Sequence, residues 1–189
     1  MLKKFAALFV MLLFASPLYA KDVGGVSMPE SISAGGKTLT LNGAGVRKKY
    51  GLVSVYAAGL YLVQKSSDAE KIMAADEPMA IEMVWIRDNV EQSAVNEAWH
   101  EGFARAMNGN AAPLKAQIEK FIACFPATYH KKDSYRFTYV PGTGTTVEVN
   151  GQKKAVIPGL AFKKALFGNW LAPGGDGGLT KLRPILLGK

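Results

Sequence analysis

Leu41-Asn42-Gly43-Ala44-Gly45-Val46-Arg47-Lys48-Lys49-Tyr50-Gly51-Leu52-Val53-Ser54-Val55-Tyr56-Ala57-Ala58-Gly59-Leu60-Tyr61-Leu62 is the stretch on which the reading of this chain turns. Just ahead of it, Gly35-Gly36 lead into Lys37-Thr38-Leu39-Thr40-Leu41, whose alternation of polar and apolar residues marks a strand. Asn42-Gly43-Ala44-Gly45 reads as a tight break, two glycines allowing a close backbone turn before Arg47. Leu52 to Val63 is then a long apolar run rich in valine and tyrosine, as expected for a central strand buried on both faces. A guanidinium at the edge of an apolar sheet is a ready partner for a carboxylate, enolate or phenolate, and the Tyr56 phenol can share that anion. The plainer alternative is an arginine lying over the sheet while tyrosines fill the core.

Outward from this segment the pattern is strands, then helices, then strands. Ser67-Asp68-Ala69-Glu70 is a capping box that opens a short helix ending before Pro78. Met79 to Ile86 reads as a strand. Val95, Trp99, Phe103 and Met107 recur every fourth residue, and Asn108-Gly109-Asn110 stops that helix. After Pro113, Leu114, Ile118, Phe121, Ile122 and Phe125 form a second helical stripe that Pro126 closes. Ser134 to Val140 returns to strand, with Tyr135, Phe137 and Tyr139 on one face. Pro141 to Gly144 turns the chain into Thr146–Val149, and Asn150-Gly151 is a strong hairpin signal whose return strand is Gln152–Ile157. A last helix carries Phe162, Ala165, Leu166 and Asn169, before a loop at Gly174-Gly175-Asp176-Gly177-Gly178. This order implies an α+β fold with helices packed on one face of a largely antiparallel sheet.

The N-terminus is read separately. Lys3 and Lys4, an apolar run from Phe5 to Ala15, a break at Ser16-Pro17 and a small residue at Ala20 make a secretory signal peptide. The run is shorter than the roughly 20 residues of a spanning helix, so the expectation is cleavage after Ala20. That leaves a soluble periplasmic domain over residues 21–189. The formal net charge of +8 is scattered rather than clustered. Export argues against nucleic acid as a partner and leaves an anionic ligand or an anionic lipid surface.

Conventional catalytic signatures are absent. Cys124 is alone, in an apolar setting that suits a small buried hydrophobe. His100 and His130 stand outside any ligand-spaced group, so neither metal nor cofactor is expected. Gly142-Thr143-Gly144-Thr145 lacks the lysine of a phosphate loop and lies between strands, where a hairpin turn is the better reading.

Gly43-Ala44-Gly45-Val46-Arg47, followed by Val55-Tyr56-Ala57-Ala58-Gly59-Leu60-Tyr61-Leu62, resembles the GGAGxRG and GVYL signatures of the chalcone isomerase superfamily. Val147-Glu148-Val149-Asn150-Gly151, Ile157-Pro158-Gly159 and Ala165-Leu166-Phe167-Gly168-Asn169-Trp170 resemble its exported bacterial branch. The resemblance implies an open-faced β-sandwich, a large antiparallel sheet covered by a layer of helices, with a ligand cleft between them. In true chalcone isomerases the motif arginine steers a substrate oxyanion onto an enone, while a threonine and a tyrosine order a water at the ketone. Arg47 matches that arginine, and Tyr56 stands where the threonine would be. No tyrosine lies between Asp88 and Phe103 to supply the second hydroxyl. Asn96 is the candidate for the family's helical asparagine.

An arginine and a tyrosine at these places are instead similar to the fatty-acid-binding members, where the pair holds a carboxylate. The resemblance therefore implies a non-catalytic binder of a small acidic, apolar-tailed ligand, a fatty acid or a phenolic, through Arg47, Tyr56 and Asn96. An enone isomerase or lyase and a structural envelope protein stand behind it. On the binding reading Arg47 is expected to be partly buried, near Tyr56, and without a carboxylate of its own.

Overall fold

The computed structural model describes residues 20–189. The leader read over Met1–Ala20 lies outside them, apart from Ala20. In chain order the strands and helices begin with β1 (Ala20–Asp22), β2 (Ser27–Pro29), β3 (Ser31–Ala34), β4 (Lys37–Lys49) and β5 (Val53–Leu62). The middle holds α1 (Ala69–Ala74), β6 (Met79–Trp85), β7 (Val90–Glu91), α2 (Gln92–Ala106), α3 (Lys115–Ile122) and β8 (Thr128–Tyr129). The chain closes with β9 (Ser134–Val140), β10 (Gly144–Val149), β11 (Gln152–Ile157), α4 (Leu160–Leu171) and α5 (Gly177–Leu186).

Among the described residues the main sheet has seven strands in the order β11-β10-β9-β6-β5-β4-β3, and every neighbouring pair is antiparallel. Its two faces are buried differently. One carries the large core, where the β9 residues Tyr135, Phe137 and Tyr139 meet Trp99, Phe103, Phe121 and Trp170 from the helices. The other carries a smaller cluster around Met28, Leu39, Leu41, Ala57 and Tyr61, closed by the short β1–β2 ribbon. This is the expected open-faced α+β sandwich, with the helical layer on one side. The β10–β11 hairpin turns through Asn150 and Gly151 at φ 50° and 74°, the left-handed pair that favours Asn-Gly.

Three local expectations are corrected. The Asn42–Gly45 segment is no break: β4 runs straight through it, and the irregularity is a bulge between Leu41 and Gly43 in the pairing with β5. One extra residue inverts the alternation of faces. Leu39 and Leu41 before the bulge, and Ala44 after it, all face the small cluster. Gly43 and Gly45 consequently face the helices. A Cβ at Gly43 would fall on the Ile185 carbonyl oxygen, and one at Gly45 would press on Ile185 and Leu182. The glycines thus serve close helix packing rather than a turn.

The second correction concerns α1, whose cap is Asp68 rather than Ser67. Asp68 Oδ1 accepts from the Lys71 N–H at 3.0 Å, because a helix beginning at Ala69 puts the orphan amide of its third residue over Asp68. Its other end is capped from the core: fully buried Lys163 donates from Nζ to the Ile72, Met73 and Ala75 carbonyls at 3.2, 2.9 and 2.6 Å. Third, the helix carrying Phe162 to Asn169 is not the last: α5 follows it, and the expected glycine loop ends early. Asp176 caps α5, and Gly177 and Gly178 form its first turn. A Cβ at Gly178 would strike the Lys48 carbonyl, so glycine there lets α5 lie against β4.

Asn42, the bulge residue, is buried and holds α5 in place. Its Nδ2 donates to the Leu186 carbonyl at 2.7 Å and the Ser66 carbonyl at 2.9 Å, and its Oδ1 accepts from the Ser66 N–H at 2.8 Å. Asn42→Ala would leave these backbone groups without partners and should lower unfolding stability by about 1–3 kcal/mol. A urea titration checks this; a midpoint unchanged from wild type would refute the anchoring role. Asn42→Asp keeps only the acceptor and sets a charge against two carbonyls, so it should be worse than alanine.

Candidate functional site

The bulge brings Arg47 onto the helical face of the sheet, directly opposite Tyr56 in the β4–β5 pairing. The Arg47 guanidinium carbon lies 5.8 Å from the Tyr56 ring centre. A second irregularity between Arg47 and Lys48 leaves Val55 unpaired there, and the Val55 carbonyl accepts from both Ile86 and Arg87 at 3.0 Å. Bulges commonly re-aim side chains beside sites. Here they open a cavity of about 620 Å³ between the sheet, α2, α4 and the start of α5, within the usual range for small-molecule sites.

Its walls are apolar and aromatic, with Met83 and Trp85 from β6, Val95 and Trp99 from α2, Trp170 from α4 and Leu179 from α5. Trp85 meets Tyr56 edge-on at 5.9 Å, and Trp99 meets Trp170 likewise at 5.6 Å. Phe103, on the same helical stripe as Trp99, packs against it in the core and is not part of the lining.

Two adjacent residues near the end of α4 organise the polar groups. Trp170 Nε1 donates to the Tyr56 hydroxyl at 3.1 Å. The phenol oxygen is thereby occupied as an acceptor, and its own proton has no acceptor among the described residues. Burial pushes the Tyr56 phenol above its ordinary value, with Arg47 opposing; it is a neutral donor at physiological pH. The Asn169 carbonyl accepts from Arg105 Nη2 at 2.6 Å. Arg105 has no ion-pair partner among the described residues, and its Nε is buried without a hydrogen-bond partner.

Small residues explain why Arg105 reaches that place. A Cβ at Gly102 would fall on the Asn169 Oδ1, and one at Gly168 would overlap the Ala106 side chain. With those side chains missing, α2 and α4 approach closely enough for Arg105 to lie over the C-terminal carbonyls of α4. Arg183 Nε satisfies the Leu171 carbonyl of the same end at 2.7 Å.

Arg47 is partly buried and near Tyr56 as expected, but it does have a carboxylate partner. Its Nη2 pairs with Asp176 Oδ2 at 2.5 Å, with 14% of the arginine and 45% of the aspartate side chain exposed. The expected unpaired guanidinium is therefore corrected: Asp176 lies 129 residues away in sequence, beyond any local pattern, and the capping of α5 delivers it. Asn96 is also displaced from the site. It does not line the cavity, and its Oδ1 is buried without a partner. Among the α2 positions that do line it are Ala94, Ala98, Glu101 and Arg105. Their four-three-four spacing is itself a helical stripe, the signal by which Arg105 could have been found.

The lining holds no serine, threonine, cysteine or histidine. Carboxylates are present at Glu91, Glu97 and Glu101, all exposed at the rim, and at Asp176. The interior thus offers an apolar body, a phenolic donor and a guanidinium edge.

Residues 20–188 match the chalcone isomerase-like family. The fold is similar to that of a solved fatty-acid binding protein of Arabidopsis thaliana, with a TM-score of 0.68 and 18% identity over 86% of this chain and 92% of that one. No curated protein matches the chain.

Asp176 does two things that substitutions can separate, since its Oδ1 accepts from the Leu179 N–H at 2.9 Å while Oδ2 pairs with Arg47. Asp176→Asn keeps a good cap and removes the charge; it should cost less than about 1 kcal/mol, because a partly exposed ion pair contributes little. Asp176→Ala removes both and should cost about 1–2 kcal/mol. Thermal unfolding of the two variants checks this, and equal losses would make the ion pair the dominant contact.

Proposed function

The chain belongs to the chalcone isomerase-like family, and we propose that within it this protein is a non-catalytic binder of small acidic molecules with apolar bodies, such as fatty acids. The observation that carries this reading is a set of donors without acceptors among the described residues, all on side chains that line one largely apolar cavity: Arg105 Nε, the Tyr56 proton and the indole N–H groups of Trp85 and Trp99, of which Arg105 alone carries charge. A buried guanidinium edge without a partner is costly, and a carboxylate is the group that completes it. Arg47, already engaged by Asp176, adds positive field rather than the main contact. The fatty-acid binding of the structurally similar Arabidopsis protein supports the same ligand class. So does the basic charge of the chain. The ligand is met in the periplasm, after removal of the leader ending at Ala20.

The competing reading, an intramolecular lyase closing a chalcone-type enone, would use Arg47 and Tyr56 on an oxyanion. Beside Tyr56 the lining supplies no serine, threonine or histidine to order water at the ketone, and its second phenol, Tyr50, is 85% exposed at the hairpin tip; such groups typically supply about 10²–10⁴-fold in rate. Absorbance assays should show chalcone closing no faster than it does unaided.

Decanoate and decanol separate the head group from the tail. By calorimetry, Arg105→Gln should weaken decanoate by about 2–5 kcal/mol and leave decanol unchanged. Tyr56→Phe should cost about 0.5–1.5 kcal/mol. Arg47→Ala should cost less than Arg105→Gln, because Asp176 already engages its charge. Unchanged decanoate affinity in Arg105→Gln, together with a lower melting temperature, would make Arg105 only a cap of α4 and remove the anchor from this reading.

A further inference from the structure

The β4–β5 hairpin ends in Lys48-Lys49-Tyr50-Gly51-Leu52-Val53, and its apolar members point into water. Tyr50 is 85% exposed, Leu52 86% and Val53 37%. The turn itself does not call for them. Tyr50 and Gly51 adopt φ 54° and 74°, nearly the values of Asn150 and Gly151 in the β10–β11 hairpin. There the same left-handed geometry is built from the residues that suit it. At the first hairpin an aromatic residue holds a conformation that bulky side chains rarely adopt. A leucine follows it, with nothing among the described residues to pack against.

Position and charge say what covers this tip. Lys49 and Tyr50 line the mouth of the ligand cavity and also an adjoining recess of about 330 Å³, which Lys181 of α5 completes. Lys48 and Lys49 are exposed beside the apolar pair, so the tip is a small aromatic-aliphatic wedge ringed by ammonium groups. Tyrosine and leucine enter the boundary between headgroups and acyl chains, while lysines stay at the level of the phosphates. We propose that the Lys48–Val53 hairpin docks the cavity mouth onto an anionic phospholipid bilayer. Apolar acids dissolved in that bilayer would then reach Arg105 and Tyr56 without crossing water. The wedge and its lysines stand independently of the ligand reading, and a vesicle assay without added ligand tests them alone.

The protein from Lys21 onward, without its leader, and the hairpin variants of that protein are sedimented side by side with vesicles of phosphatidylcholine alone, or of phosphatidylcholine and phosphatidylglycerol in equal parts. Tyr50→Asn with Leu52→Thr replaces the wedge by a turn the fold already uses at 150–151, so the hairpin is retained. Unchanged circular dichroism and melting temperature confirm it. The wild type should bind the anionic vesicles, release with salt, and bind neutral vesicles at least tenfold more weakly. The wedge variant and Lys48→Gln with Lys49→Gln should each lower anionic-vesicle partitioning at least tenfold. Partitioning that neither variant changes would overturn the proposal, because residues elsewhere would then carry it. A wild type that ignores vesicles but dimerises, with the dimer lost in the wedge variant, would also overturn it in favour of a second copy of this chain.

Discussion

The structure depends on one extra residue in one strand. Asn42 is inserted into β4 so that the alternation of faces reverses between Leu41 and Gly43. Without the bulge, Gly43, Gly45 and Arg47 would share the face of Leu39 and Leu41. The two glycines could not then receive α5, and Arg47 would lie on the side of the sheet away from the helices. The same residue uses its amide to fix the carboxyl end of α5 and the backbone after β5. Register, helix docking and the placement of the arginine are therefore coupled through one buried side chain.

From that frame the cavity follows by packing. Gly43, Gly45 and Gly178 bring α5 against β4, and this carries Asp176 to Arg47. Gly102, Ala106 and Gly168 bring α2 against α4, and this carries Arg105 to the Asn169 carbonyl. The first arrangement neutralises its guanidinium; the second leaves a guanidinium edge buried and unpartnered. Since a buried charge favours a counterion far more strongly than a satisfied one does, the two arginines have different roles although they face one cavity. Trp170, by donating to Tyr56, turns a phenol that could do either into a committed donor.

Much of this was legible in the sequence, and the rest failed for identifiable reasons. The strands and the α2 stripe were readable because their signals are local: alternation in Ser134–Val140, every-fourth spacing from Val95 to Phe103, Asn-Gly at 150–151. The bulge was not, since Asn-Gly-Ala-Gly carries a turn signal and the partner that makes Asn42 structural lies 144 residues away. α5 is hidden in the sequence because Gly177, Gly178 and Pro184 have low helix propensity; Gly178 is there for the Lys48 carbonyl its backbone approaches. Arg47 and Tyr56 are neighbours as their strand pattern implies, but the carboxylate that occupies Arg47 comes from the cap of α5, which has no local signal. Arg105 lies on a helical stripe of its own, but Val95, Trp99 and Phe103 on the same helix carry the stronger pattern.

The claim at the centre is that the cavity holds a carboxylate in its charged form against donors. Decanoic acid labelled with ¹³C at its carboxyl carbon reports this directly when bound, because the carboxyl chemical shift follows its ionisation. Held by Arg105 and Tyr56, the bound carboxyl should stay ionised well below the pH at which the free acid takes up its proton. A bound carboxyl that titrates where the free acid does, or above it, would place the head group in solvent or in an apolar wall and contradict the account.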